Sequence, residues 1–103
     1  MLQAALKIRS YTDGYNYELF LENEKTIDAV VRNFEIIGEA ANRIDPLFRN
    51  QYPDIEWKRI RGFRNRIVHD YFGIDYEIVW DIIVFYLDEL IDNLNKIKAA
   101  NTP

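Results

Sequence analysis

The chain has 103 residues, 49% of them hydrophobic and 15% aromatic, with four glycines, three prolines, no cysteine and a single histidine. That composition suits one small globular core, argues against disorder, and removes disulfide frameworks, zinc clusters and thiol nucleophiles. A formal net charge of -4 argues against a protein that coats nucleic acid through its overall field. No window approaches the length of a membrane span and the start carries no basic leader, so a cytoplasmic protein with no membrane partner is expected. In the absence of repeats or linkers, residues 1–103 read as a single domain.

The expected elements follow in chain order. Met1 to about Thr12 reads as a short helix carrying Leu2, Leu6 and Ile8, stopped by Asp13-Gly14. A helical turn is expected around Tyr17 to Glu22. From Asn23 or Glu24 to Ile44, the apolar residues Ile27, Val30, Val31, Phe34, Ile37, Ala41 and Ile44 recur in steps of three and four, one buried helical face. Gly38 falls inside that stripe at a cost of roughly 1 kcal/mol against alanine, which suggests the close approach of another helix. Asp45-Pro46 opens a short helix to about Gln51, and Asp54 is expected to cap the next.

That next helix, from Ile55 to about His69, is basic on an acidic body. Lys58, Arg59, Arg61, Arg64 and Arg66 fall within nine positions. Its apolar stripe is Trp57, Ile60, Phe63, Ile67 and Tyr71; on an ideal wheel at about 100° per residue Arg64 falls inside it, where a charge needs a partner or a ligand. Gly73 is expected to cap this helix and Asp75 to open a last one to about Ala99. The last helix carries Tyr76, Trp80, Ile83, Leu87, Leu90, Leu94 and Ile97 as a bundle seam. A second apolar face, Ile78, Ile82 and Phe85, is expected to meet another copy of the chain.

His69 is the natural acid or base near neutral pH, and Arg64 offers a planar fork of donors matched to phosphate oxygens. Asn65 and Tyr71 can hydrogen-bond a ribose, base or phosphate. With no metal-ligand cluster in sight, these residues suit metal-independent RNA cleavage by the 2′-hydroxyl, needing no cofactor. The plain alternatives are a capping histidine, a core tyrosine and a solvated basic face. In one continuous helix Arg64 and His69 point about 140° apart. They converge only if the helix ends near Val68 or two protomers pool their residues.

The run Arg64-Asn65-Arg66-Ile67-Val68-His69-Asp70-Tyr71 resembles the Arg-x4-His-x-Tyr motif of the HepT family, HEPN-domain toxins paired with minimal nucleotidyltransferase antitoxins. Phe34 to Ala41, Tyr52 to Trp57, Tyr71 to Asp75 and Ile78 to Trp80 resemble family segments in the same order, so the likeness covers nearly the whole chain. The resemblance implies an all-α, HEPN-type antiparallel bundle of four main helices plus short helical turns, dimeric, with the motif at a shared cleft. It implies a toxin endoribonuclease in which Arg64 stabilises the phosphate and His69 acts as base or acid, with support from Asn65, Arg61 and Arg66. Tyr71 resembles the tyrosine that the antitoxin modifies with AMP to silence the toxin. Family members usually begin roughly a dozen residues earlier, so the first helix here is expected to be several turns short at about 1.5 Å per residue. The alternative is a catalytically silent HEPN module that binds a nucleotide or a partner protein through the basic helix.

Overall fold

The structure is a computed structural model that describes residues 1–69 and 73–101, with the backbone alone at His69. Its elements are α1 (Leu2–Thr12), α2 (Tyr17–Leu21), α3 (Glu24–Arg43), α4 (Pro46–Asn50), α5 (Trp57–Arg61), α6 (Phe63–Ile67), β1 (Val68–His69), β2 (Gly73–Ile74), α7 (Tyr76–Phe85) and α8 (Leu87–Ala100). The architecture is the all-α bundle that the family resemblance implies, interrupted by one antiparallel two-residue ladder that pairs Val68 with Ile74 and His69 with Gly73. Among the described residues no helix is long and apolar enough to cross a membrane.

Local chemistry sets most boundaries. α1 ends where Asp13 turns extended and Gly14 takes a left-handed φ of 74°, open to a residue without a Cβ. Asn16, Asn23, Asp45 and Asp75 each accept a backbone N–H through their side-chain oxygens at the start of α2, α3, α4 and α7. Such caps satisfy donors that a helix start otherwise leaves to solvent.

α3 is the spine. Its apolar face buries Ile27, Val30, Val31, Phe34, Ile37 and Ala41, and it packs against α1, α2, α5 and α6. α8 closes the other side of α1 with Leu87, Leu90, Ile91 and Leu94. Gly38 behaves as its place in the stripe suggests. A Cβ there would lie 3.4 Å from the carbonyl oxygen of Ile60 and 3.6 Å from that of Arg61, so the backbones of α3 and α5 meet at this point.

Four expectations are corrected. The helix expected over residues 55–69 is two five-residue helices that adjoin at Gly62 and stop at Ile67; Glu56, not Asp54, occupies the first N-cap. Gly73 is therefore no helix cap: at φ 76° it begins the return strand. The helix expected from Asp75 to Ala99 breaks at Tyr86 (φ -130°), and the buried face of α7 is Val79 and Ile82 rather than Tyr76 and Trp80. The second apolar face divides. Ile82 belongs to the chain's own core, Ile78 packs against that core, and Phe85 remains 77% exposed.

Candidate functional site

The basic segment is held from beneath by apolar side chains. Trp57, Ile60, Phe63 and Ile67 are buried against α3, with Phe63 edge-on to Phe34 at 5.3 Å between ring centroids. The indole Nε1 of Trp57 donates to the carbonyl of Tyr52 at 3.1 Å, fixing the entry to α5. Four buried anchors in eleven residues leave the cations no place in the core. Lys58, Arg59, Arg61, Arg64 and Arg66 are all exposed. Arg64 is exposed although the wheel sets it in the apolar stripe, because desolvating an unpaired guanidinium costs more than the contacts return.

The chain then changes direction at the motif itself. Val68 takes φ -104° and ψ 120°, its N–H bonding back to the carbonyl of Arg64, and the backbone of His69 pairs with Gly73. The carbonyl of Ile67 accepts the N–H of Asp75 at 2.8 Å, while Oδ1 of Asp75 accepts the N–H of Ile78 at 3.1 Å. Asp75 thereby ties the end of α6 to the start of α7. Helix termination near Val68, one of two ways for Arg64 and His69 to approach each other, is the one this backbone adopts within a single chain. The His69 side chain and Tyr71 lie outside the described residues.

The remaining site residues divide between two flanks. On a wheel at about 100° per residue, Arg61 and Arg64 lie about 60° apart and Asn65 is beside them, whereas Arg66 points about 160° from Arg64. Arg66 instead lines an open groove of about 700 Å³ with Glu56, Lys58, Arg59 and Gly62. At its wall the Arg59 guanidinium lies 4.3 Å from the centroid of the Tyr86 ring, and its Nη1 donates to Glu56 at 3.0 Å. Burial, then the Glu56 carboxylate, push the Tyr86 hydroxyl up to about 12 despite the opposing Arg59 charge. Tyr86 stays neutral and its ring remains a face for the cation. Spacing along the chain does not reveal Glu56, Arg59 and Tyr86 as a unit, since Tyr86 is far along the chain; the visible signal is an aromatic residue out of step with the helical seam. Among the described residues no group of three or more His, Asp or Glu side chains gathers closely enough to hold a metal ion.

Comparison with known proteins points in one direction. The family model described as "Ribonuclease HepT-like" matches residues 1–97. A protein of Methanocaldococcus jannaschii named "Putative RNase" is 39% identical over 84 residues, 82% of this chain and 69% of its own length. A second protein of that organism with the same designation is 40% identical over 83 residues, covering 81% of this chain and 76% of its own. A "Probable ribonuclease HepT" of Thermococcus cleftensis is 33% identical over 91 residues, or 88% and 83% of the two chains. No solved structure matches.

Proposed function

Because the chain belongs to the HepT-like ribonuclease family, we propose that it is a toxin endoribonuclease, metal-independent, working in the cytoplasm as a single-domain HEPN protein and silenced by a nucleotidyltransferase antitoxin. The observation that carries this reading is the backbone turn at Val68, which ends the helix of exposed Arg64 one residue before His69. The turn supports the reading because a cation and a base carried on adjoining elements can approach one phosphate, which side chains about 140° apart on one straight helix cannot.

In the proposed reaction His69 removes the proton of the ribose 2′-hydroxyl. The 2′-oxygen attacks the adjacent phosphorus, the bond from phosphorus to the 5′-oxygen breaks, and the departing oxygen takes up a proton. Arg64 stabilises the charge that builds on the non-bridging oxygens, with Asn65 and Arg61 beside it and Arg66 at a neighbouring subsite. Exposed Phe85 and Val84 supply apolar surface for a homodimer in which two motifs face a common cleft. An AMP group on Tyr71 would add anionic phosphate and bulk within the motif and compete with RNA for its cations.

The test is cleavage of RNA by purified protein. Arg64→Ala and His69→Ala should each abolish it with unchanged circular dichroism and elution volume, and EDTA should leave the wild type active. Undiminished cleavage in both variants sinks the reading. Co-expression with an adjacent nucleotidyltransferase should add the mass of AMP to Tyr71.

A further inference from the structure

The geometry points to a second RNA contact, on the flank of the basic segment away from Arg64: the groove lined by Lys58, Arg59 and Arg66 holds backbone phosphates of the same strand, nucleotides away from the bond that is cut. The ribonuclease reading enters only in naming RNA as the ligand; the groove stands on its own chemistry.

Lys58, Arg59, Gly62 and Arg66 lie within about 100° of one another on the wheel, and the register carries through Gly62. Its N–H bonds to the carbonyl of Lys58 and its own carbonyl accepts the N–H of Arg66, each at 3.1 Å. Three cations there face one carboxylate, Glu56. Arg59 is pre-ordered by the Tyr86 ring and by Glu56, so it presents its outer N–H groups at little entropic cost. Lys58 and Arg66 have no ion-pair partner among the described residues. A protein of net charge -4 that gathers its cations in this way has a local site for polyanions.

A path joins groove to motif. Arg64, Arg61 and Lys58 form one row at intervals of three residues, stepping about 60° around the helix each time. Lys58 then adjoins Arg59 at the groove. From Arg64 the row descends about 9 Å along the axis while turning toward the far flank. A dinucleotide bound at Arg64 falls short of the groove, whereas a longer single strand spans both.

Binding of a fluorescent, non-cleavable 2′-O-methyl oligoribonucleotide of about ten nucleotides is the test, beside a 2′-O-methyl dinucleotide. Lys58→Glu, Arg66→Glu and the neutral double variant Lys58→Gln/Arg66→Gln should each weaken oligomer binding several-fold, and weaken the dinucleotide much less. In the double variant the slope of log affinity against log salt should flatten by about 0.7 for each phosphate that the groove no longer neutralises. Equal weakening for both ligands, or an unchanged slope, overturns the proposal. So does poly-glutamate that competes as well as RNA of matched charge, which would make the groove a site for acidic protein. If the wild type cuts no RNA yet its oligomer binding still depends on the groove, the chemistry fails and the groove survives. If cleavage depends on His69 while the groove variants bind normally, the reverse holds.

Discussion

Gly38 sets the distance between the spine and the basic segment, and replacing it measures that distance. An alanine Cβ would stand 3.4 and 3.6 Å from the carbonyl oxygens of Ile60 and Arg61, ordinary van der Waals contact. Against that mild crowding, alanine recovers roughly 1 kcal/mol of helix propensity and narrows the unfolded ensemble. Gly38→Ala should therefore stabilise the fold by about 0.5–1 kcal/mol, a rise in Tm of about 2–8 °C for a chain of this length. Valine has no such room. Its two γ-carbons enter the space of the same carbonyls, and forcing α3 from α5 should cost about 1–3 kcal/mol. Thermal and urea unfolding followed by far-UV circular dichroism separates the cases. A valine variant as stable as wild type would refute the close backbone approach, and an alanine variant less stable than wild type would refute the room for a Cβ between the two helices. Valine should also reduce RNA cleavage at temperatures where the variant is still folded, because it displaces the helix that carries Arg61.

Three further outcomes follow from the hairpin and from Tyr86. Gly73→Ala places a Cβ on a left-handed residue (φ 76°) and should cost about 1–2 kcal/mol; cleavage should fall further than the unfolding midpoint alone explains. Asp75→Ala removes the cap of α7 and should cost about 1 kcal/mol in urea titrations, whereas Asp75→Asn should keep most of it. The Tyr86 hydroxyl, raised from 10.0 to about 12, keeps its proton in the folded chain at pH values where the unfolded chain loses it. Its contribution is complete below pH 10.0 and is lost as pH climbs through about 12. Tyr86→Phe should remove that component of alkaline destabilisation, read as a flatter dependence of the urea midpoint on pH over this range.

Much of the scaffold is legible from periodicity and caps, because those are local. Ile27 to Ala41 advertise the buried face of α3, Asp45-Pro46 the start of α4, and Asp75 the start of α7. The breaks are less so. An apolar residue keeps recurring every three or four positions through Gly62 and Tyr86, and the wheel continues across interruptions that backbone dihedrals impose. Gly62 is the one visible warning. At the candidate site the sequence suggests Arg64 and His69 as a pair, but the turn between their backbones depends on Ile67 accepting from Asp75, a hydrogen bond that no spacing rule contains. The partition of cations into two flanks likewise comes from the depth to which Phe63 and Ile67 seat against α3, a tertiary fact.

The spine helix carries none of the groups assigned to RNA, yet five-residue helices such as α5 and α6 have little persistence of their own in water. Their shape is borrowed from the face of α3 that sets Phe34 against Phe63 and Gly38 against the carbonyls of Ile60 and Arg61. The proposed site is thus shaped by a helix that contributes none of its groups. If the proposed toxicity holds, a genetic selection for survivors of this chain's expression should return lesions of two kinds: changes in the motif itself, and bulky or polar replacements along that face of α3, which leave every side chain proposed to face RNA unchanged and remove the surface that shapes them.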